Sequence, residues 1–141
     1  MQYFLNVTHK IFSIKDFTKS IVRDKLLSFT DHLLCRLLEC DDLSNKEQDS
    51  NSVTIIKLIN STMLRILENA NPGDIYVSLI DLLTKYRIQS TSNSRILGLI
   101  VKCILKLTKG LEQTLPLLNI EELLLKFHKY LCEITKLSTS V

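Results

Sequence analysis

Residues 58–83 read LINSTMLRILENANPGDIYVSLIDLL. Apolar residues recur at intervals of three and four on both sides of a short polar break, ENANPGD. That spacing lines one face of a 3.6-residue helix, so two amphipathic helices are expected here. Proline cannot continue a helix, because it lacks the amide donor and clashes with the preceding turn. Pro72 therefore ends the first helix, Gly73 relaxes the turn, and Asp74 offers a carboxylate to the free amides of the next helix. The expected inward stripes are Ile56, Ile59, Met63, Ile66 and Ala70 before the break, and Ile75, Leu79, Leu82 and Tyr86 after it. Asp81, four residues before Lys85, is spaced for an ion pair within its own helix.

The same grammar extends outward. Upstream, YFLNVTHKIF places Phe4, Val7 and Ile11 on one stripe, flanked by Tyr3 and Phe12. Asp16 is placed to cap a further turn that turns Phe17 and Ile21 inward. From Ser20 to Cys40, Val22, Leu26, Phe29, Leu33 and Leu37 form an inward face. DDLSNKEQDSN, residues 41–51, is polar and acidic on balance, and reads as a mobile loop inside one domain. Ser52 is placed to cap the helix that follows. Downstream, RIQSTSNS is a short polar loop with Ser94 as a cap. Arg95–Lys109 is apolar nearly all round, as expected of a helix flanked on most sides. Gly110 stands just past its end. After the connector LEQTLPLLN, Asn119 and Glu122 make a partial capping box. The last helix runs to about Lys136, with Ile120, Leu123, Leu124, Phe127, Leu131 and Ile134 inward, and residues 137–141 are a frayed tail.

The reading is therefore all-α. Helix pairs joined by short loops, antiparallel neighbours in sequence, stack as a short HEAT-like α-solenoid over residues 1–136. A compact helical bundle is the competing arrangement. Composition agrees: among 141 residues there are three glycines and two prolines, too few for a turn-rich strand fold. Gln2 already sits inside a helical pattern with no cap before it, as expected of a piece cut from a longer chain.

Composition also narrows function. The formal net charge of +3 is small and its basic residues are scattered, which argues against a nucleic-acid partner. No apolar run is long enough to span a bilayer, and MQYFLNVTHKIFSIKDF lacks the charged and apolar regions of a signal peptide, so a cytosolic or nuclear protein is expected, with no membrane partner. Cys35, Cys40, Cys103 and Cys132 lie inside apolar-periodic segments and lack metal-site spacing, so reduced core cysteines are expected, with no metal and no cofactor.

Chemistry-bearing constellations are missing. His128 and Cys132 are four apart on one helix, but no third ligand or paired carboxylate accompanies them. Asp41–Asp42 and Glu121–Glu122 are adjacent pairs whose side chains diverge. No glycine-rich phosphate loop and no nucleophile elbow occurs, so no catalytic residue is expected and an enzyme is not. The most organised charged feature is the stripe Arg95, Lys102, Lys106 and Lys109, with Lys126 and Lys129 nearby, a candidate docking strip for an acidic partner.

The order of the runs carries a resemblance. LINSTMLRIL (Leu58–Leu67), VSLIDLL (Val77–Leu83), VKCILKL (Val101–Leu107) and LLLKFHK (Leu123–Lys129) resemble, in sequence and spacing, helices of the C-terminal region of the TOG-family microtubule polymerases of the Mini spindles type. The similarity covers roughly residues 21–132. It implies a HEAT-like fold and a non-catalytic cytoskeletal protein that promotes microtubule growth. It also implies a region that docks TACC-family coiled-coil adaptors and targets the parent to spindle poles, centrosomes and plus ends. Tubulin-binding TOG domains carry an exposed tryptophan in an early inter-helix loop. This chain has none, so the resemblance implies adaptor docking ahead of tubulin capture. Contact of the basic stripe with tubulin or the microtubule lattice is the alternative.

Overall fold

A computed structural model describes residues 2–44, 50–89 and 94–139. It is all-α, with no strand among the described residues. The helices are α1 (Gln2–Phe12), α2 (Lys15–Lys19), α3 (Arg23–Ser44), α4 (Ser50–Asn69), α5 (Pro72–Gln89), α6 (Ser94–Thr108), α7 (Leu111–Thr114) and α8 (Ile120–Thr139), with a 3₁₀ turn at Leu115–Leu117. The chain divides into two compact units, residues 1–71 and 72–141. Packed helix pairs build each of them, as in HEAT-like solenoids and helical bundles.

In the first unit, α1 and α3 pack on α4, and α2 bridges α1 and α4. The α4 stripe is as expected: Ile59, Met63, Ile66, Leu67 and Ala70 are buried. The α1 face is one position away from the expected one. Leu5, Thr8 and Phe12 are buried, while Phe4, Val7 and Ile11 face solvent. A polar residue can hold the middle of that buried face because the Thr8 hydroxyl donates to the Phe4 carbonyl at 2.8 Å. Phe12 then meets the Phe29 ring, centroids 4.7 Å apart.

The short helix α2 shows the same substitution. It begins after Ile14, which has extended backbone, so Asp16 lies inside the helix instead of capping it. Thr18 is buried in place of Phe17, its hydroxyl donating to the carbonyls of Phe12 at 3.1 Å and Ile14 at 2.9 Å. In α3 the buried face is Leu26, Thr30, Leu33, Leu34 and Cys40, and Val22 stands exposed ahead of the helix. The helix continues through Ser44, and α4 begins at Ser50 instead of Ser52, so the expected 41–51 loop contracts at both ends. Residues 45–49 of that loop lie outside the described residues.

In the second unit, α6 and α8 both pack on α5. Pro72 is the first residue of α5, where its missing amide costs nothing because first-turn amides have no helical partner. No glycine has a positive φ, so neither Gly73 nor Gly110 supplies a left-handed turn. Helix α5 is buried on nearly every side, from Ile75 through Ile80 and at Leu82, Leu83 and Tyr86. Tyr76, Val77, Ile80 and Leu123 form a cluster against which Leu107, Leu111 and Leu118 pack. Arg87–Gln89 belong to α5, and residues 90–93 of the expected RIQSTSNS loop lie outside the described residues. The 137–141 tail is helical as far as Thr139, and residues 140–141 lie outside the described residues.

Helix α8 departs most from its expected face. Leu123 is buried, but Ile120, Leu124, Phe127 and Leu131 are exposed. The packed face carries an ion pair. Lys126 on α8 reaches Asp81 on α5, Nζ to Oδ1 at 2.6 Å and to Oδ2 at 2.9 Å, so the polar Lys126 sits on the packed face. The expected Asp81–Lys85 pairing is displaced: Asp81 holds Lys126, and Lys85 Nζ stands 5.0 Å from the centre of the Tyr86 ring. The Asn119 cap is present, with its side-chain oxygen accepting the Glu122 amide at 3.1 Å.

Candidate functional site

The candidate docking residues all lie in the second unit. Helix α6 has the sequence SRILGLIVKCILKLT, which contains no acidic residue. Ile96 and Ile100 anchor one side of it to α5. That fixes Arg95, Lys102 and Lys106 on the opposite, exposed side, with Lys109 exposed just beyond the helix end. Among the described residues, Lys102, Lys106 and Lys109 make no ion pair. Lys129 is exposed on α8. Lys126 is different, because its cation is committed to Asp81 at 2.6 Å.

The face of α6 that carries these cations is not purely polar. Val101 is 42% exposed and Leu105 is 58% exposed, and Gly98 lies on the same side with nothing within 4 Å of where a Cβ would stand. The expectation that this helix is covered on most sides is therefore corrected. One side is buried, and the other pairs an apolar line with a cationic ridge. The signal was in the sequence. On a helical projection Gly98, Val101 and Leu105 fall together, on average about 150° from Ile96 and Ile100. Counting apolar residues without sorting them by angle hid it.

The first unit holds a cleft of about 560 Å³ lined by Phe4, Leu5, Phe29, Leu33 and Ile59, with Lys25 and Arg36 among the residues around it. Arg36 pairs with Glu39 at 2.9 Å. Near the cleft, His9 Nε2 and Ser61 Oγ are 2.9 Å apart, joining α1 to α4. Ser61 thus has a structural partner.

Catalytic and metal chemistry finds no centre among the described residues. His128 Nε2 and Cys132 Sγ are 3.5 Å apart on the exposed side of α8, and no group of three or more metal-ligand side chains forms. None of the four cysteines forms a disulfide. Burial pushes the Cys103 thiol up to about 11, which suppresses the nucleophilic thiolate. Burial also raises Cys40, with the Glu39 carboxylate adding to the shift and Arg36 opposing it. No helix among the described residues is long and apolar enough to cross a membrane.

Packed helix pairs that carry a cationic face on α6 define an all-α chain of the kind seen in HEAT-like solenoids and helical bundles. Two curated relatives carry the name Protein MOR1. That of Arabidopsis thaliana is 30% identical over 141 residues, covering 92% of this chain and 7% of the relative. That of Oryza sativa subsp. japonica is 30% identical over 144 residues, covering 94% of this chain and 7% of the relative. No family model and no solved structure matches the chain. The chain is thus similar to part of MOR1, a TOG-family member, and spans 7% of the length of the curated relatives it matches.

Proposed function

We propose that this segment is a non-catalytic protein-interaction domain of a microtubule-associated polymerase. It docks a TACC-type coiled-coil adaptor and so brings its parent to spindle poles, centrosomes and growing plus ends in the cytoplasm. Residues 1–136 act together in this reading as one HEAT-like domain. The observation that carries it is the cationic face of α6, Arg95, Lys102 and Lys106 with Lys109 at its end, on a chain related to MOR1 along nearly its whole length. Lys129 extends the docking set, and Lys126 contributes by holding α8 against α5. Coiled coils present rows of surface carboxylates that such a face complements. Titration of the chain with a TACC coiled coil by calorimetry tests the reading. Saturable binding weakened by salt is expected, and no binding refutes it.

A second reading is favoured by the same exposed cations: the ridge contacts tubulin or the microtubule lattice directly. Co-sedimentation with microtubules distinguishes it. Lys102→Glu, Lys106→Glu and Lys109→Glu together must reduce pelleting, and equal pelleting sinks this alternative.

A further inference from the structure

The basic stripe of α6 has an apolar companion that a purely electrostatic strip would not need. At about 100° per residue, Gly98, Val101 and Leu105 share an arc of about 60°. Arg95, Lys102, Lys106 and Lys109 occupy the neighbouring arc. Leu105 is 58% exposed, and the missing side chain at Gly98 flattens the face where a second backbone could approach. From Arg95 to Lys106 this surface runs about 16 Å, or three helical turns.

We propose that the exposed face of α6 seats an acidic amphipathic helix of a partner protein. The apolar stripe of that helix lies on Gly98, Val101 and Leu105, and its carboxylates face Arg95, Lys102, Lys106 and Lys109. This deepens the docking reading above and rests on it. Charge complementarity sets the partner's sign, because α6 itself carries no acid. The apolar line sets its form. An extended acidic tail would engage the lysines and leave Val101 and Leu105 wet, whereas a helix with acidic residues beside an apolar stripe covers both arcs at once. Lys102, Lys106 and Lys109 steer the encounter, and contact with Leu105 and Val101 slows release.

The test uses the whole chain and fluorescein-labelled synthetic peptides read by anisotropy. One peptide is helical, with leucines on one stripe and glutamates beside it. The second has the same composition in scrambled order, and the third carries the glutamates without the leucines. The first is expected to bind about tenfold tighter than either control. Leu105→Ser with Val101→Ser, both at exposed positions, should weaken it by about tenfold, as should Lys102→Gln with Lys106→Gln. Unchanged circular dichroism separates lost contact from lost fold. Equal binding of the three peptides overturns the proposal, as does indifference to Leu105→Ser. Binding to anionic phospholipid vesicles without binding to the first peptide overturns it too. The two readings fail separately. A TACC coiled coil that binds but ignores Leu105→Ser with Val101→Ser refutes this seat and leaves the docking reading. Binding of the amphipathic peptide without the coiled coil refutes the adaptor and leaves the seat.

Discussion

Removing the Asp81–Lys126 pair tests whether Lys126 serves the fold or a partner. The Nζ–Oδ1 distance is 2.6 Å, and the two side chains are 33% and 30% exposed. At that distance an effective dielectric near 20 gives roughly 6 kcal/mol of gross attraction. Most of it is offset by lost hydration of both ions and by the rotamer freedom of the lysine. Being neither fully exposed nor fully buried, the pair should retain about 1 kcal/mol of net coupling. Lys126→Met should then cost about 1–2 kcal/mol, because Asp81, one third exposed, partly rehydrates when abandoned. The assay is a double-mutant cycle of Asp81→Asn and Lys126→Met by urea unfolding, with amide exchange followed along α8. A coupling of about 1 kcal/mol, reduced at high salt, supports the structural role. A coupling below about 0.3 kcal/mol refutes the reasoning and returns Lys126 to the solvent-facing docking set.

Three further outcomes are expected. Gly98→Ala should raise stability by about 1 kcal/mol, since Gly98 is helical and an added Cβ meets nothing within 4 Å; a lower melting temperature would contradict it. Tyr76→Phe should be neutral or stabilising by up to about 1 kcal/mol, because the buried Tyr76 hydroxyl has no hydrogen-bond partner among the described residues, and a clear loss in urea unfolding would reveal one. Burial raises the Cys103 thiol from 9.0 to about 11. Its contribution to stability is thus fully present below pH 9 and lost as pH rises towards 11, since the unfolded chain ionises first. Cys103→Ala should flatten that part of the stability–pH curve, while the Tyr76 phenol, also raised by burial, keeps a slope above pH 10. An unchanged curve would deny the shift.

The all-α class, the central break and most of the α4 face were legible in the sequence because period and punctuation are local properties. Which residues within an apolar-rich helix turn inward was less legible, for a physical reason visible at Thr8, Thr18 and Lys126. A hydroxyl that bonds its own helix, or an ammonium that finds a carboxylate 45 residues away, can be buried. In each case the packed face includes a polar residue, and Phe4 and Leu124 of the more hydrophobic stripe lie outside it. The stripe of lysines on α6 was readable from spacing. The exposure of Val101 and Leu105 beside it was not, because that depends on which helices α6 packs against.

The polar ties between the first and fourth helices bear on how the chain matures during synthesis. His9 meets Ser61 across 52 residues, and the Asn69 side-chain amide reaches the Phe12 carbonyl across 57. Within its unit α1 is synthesised before α4, a helix it packs against. At translation rates of about 5–20 residues per second, α1 waits for α4 for roughly 3 to 11 seconds. Throughout that window the α1 face lacks part of its cover, and the docking of α4 completes it.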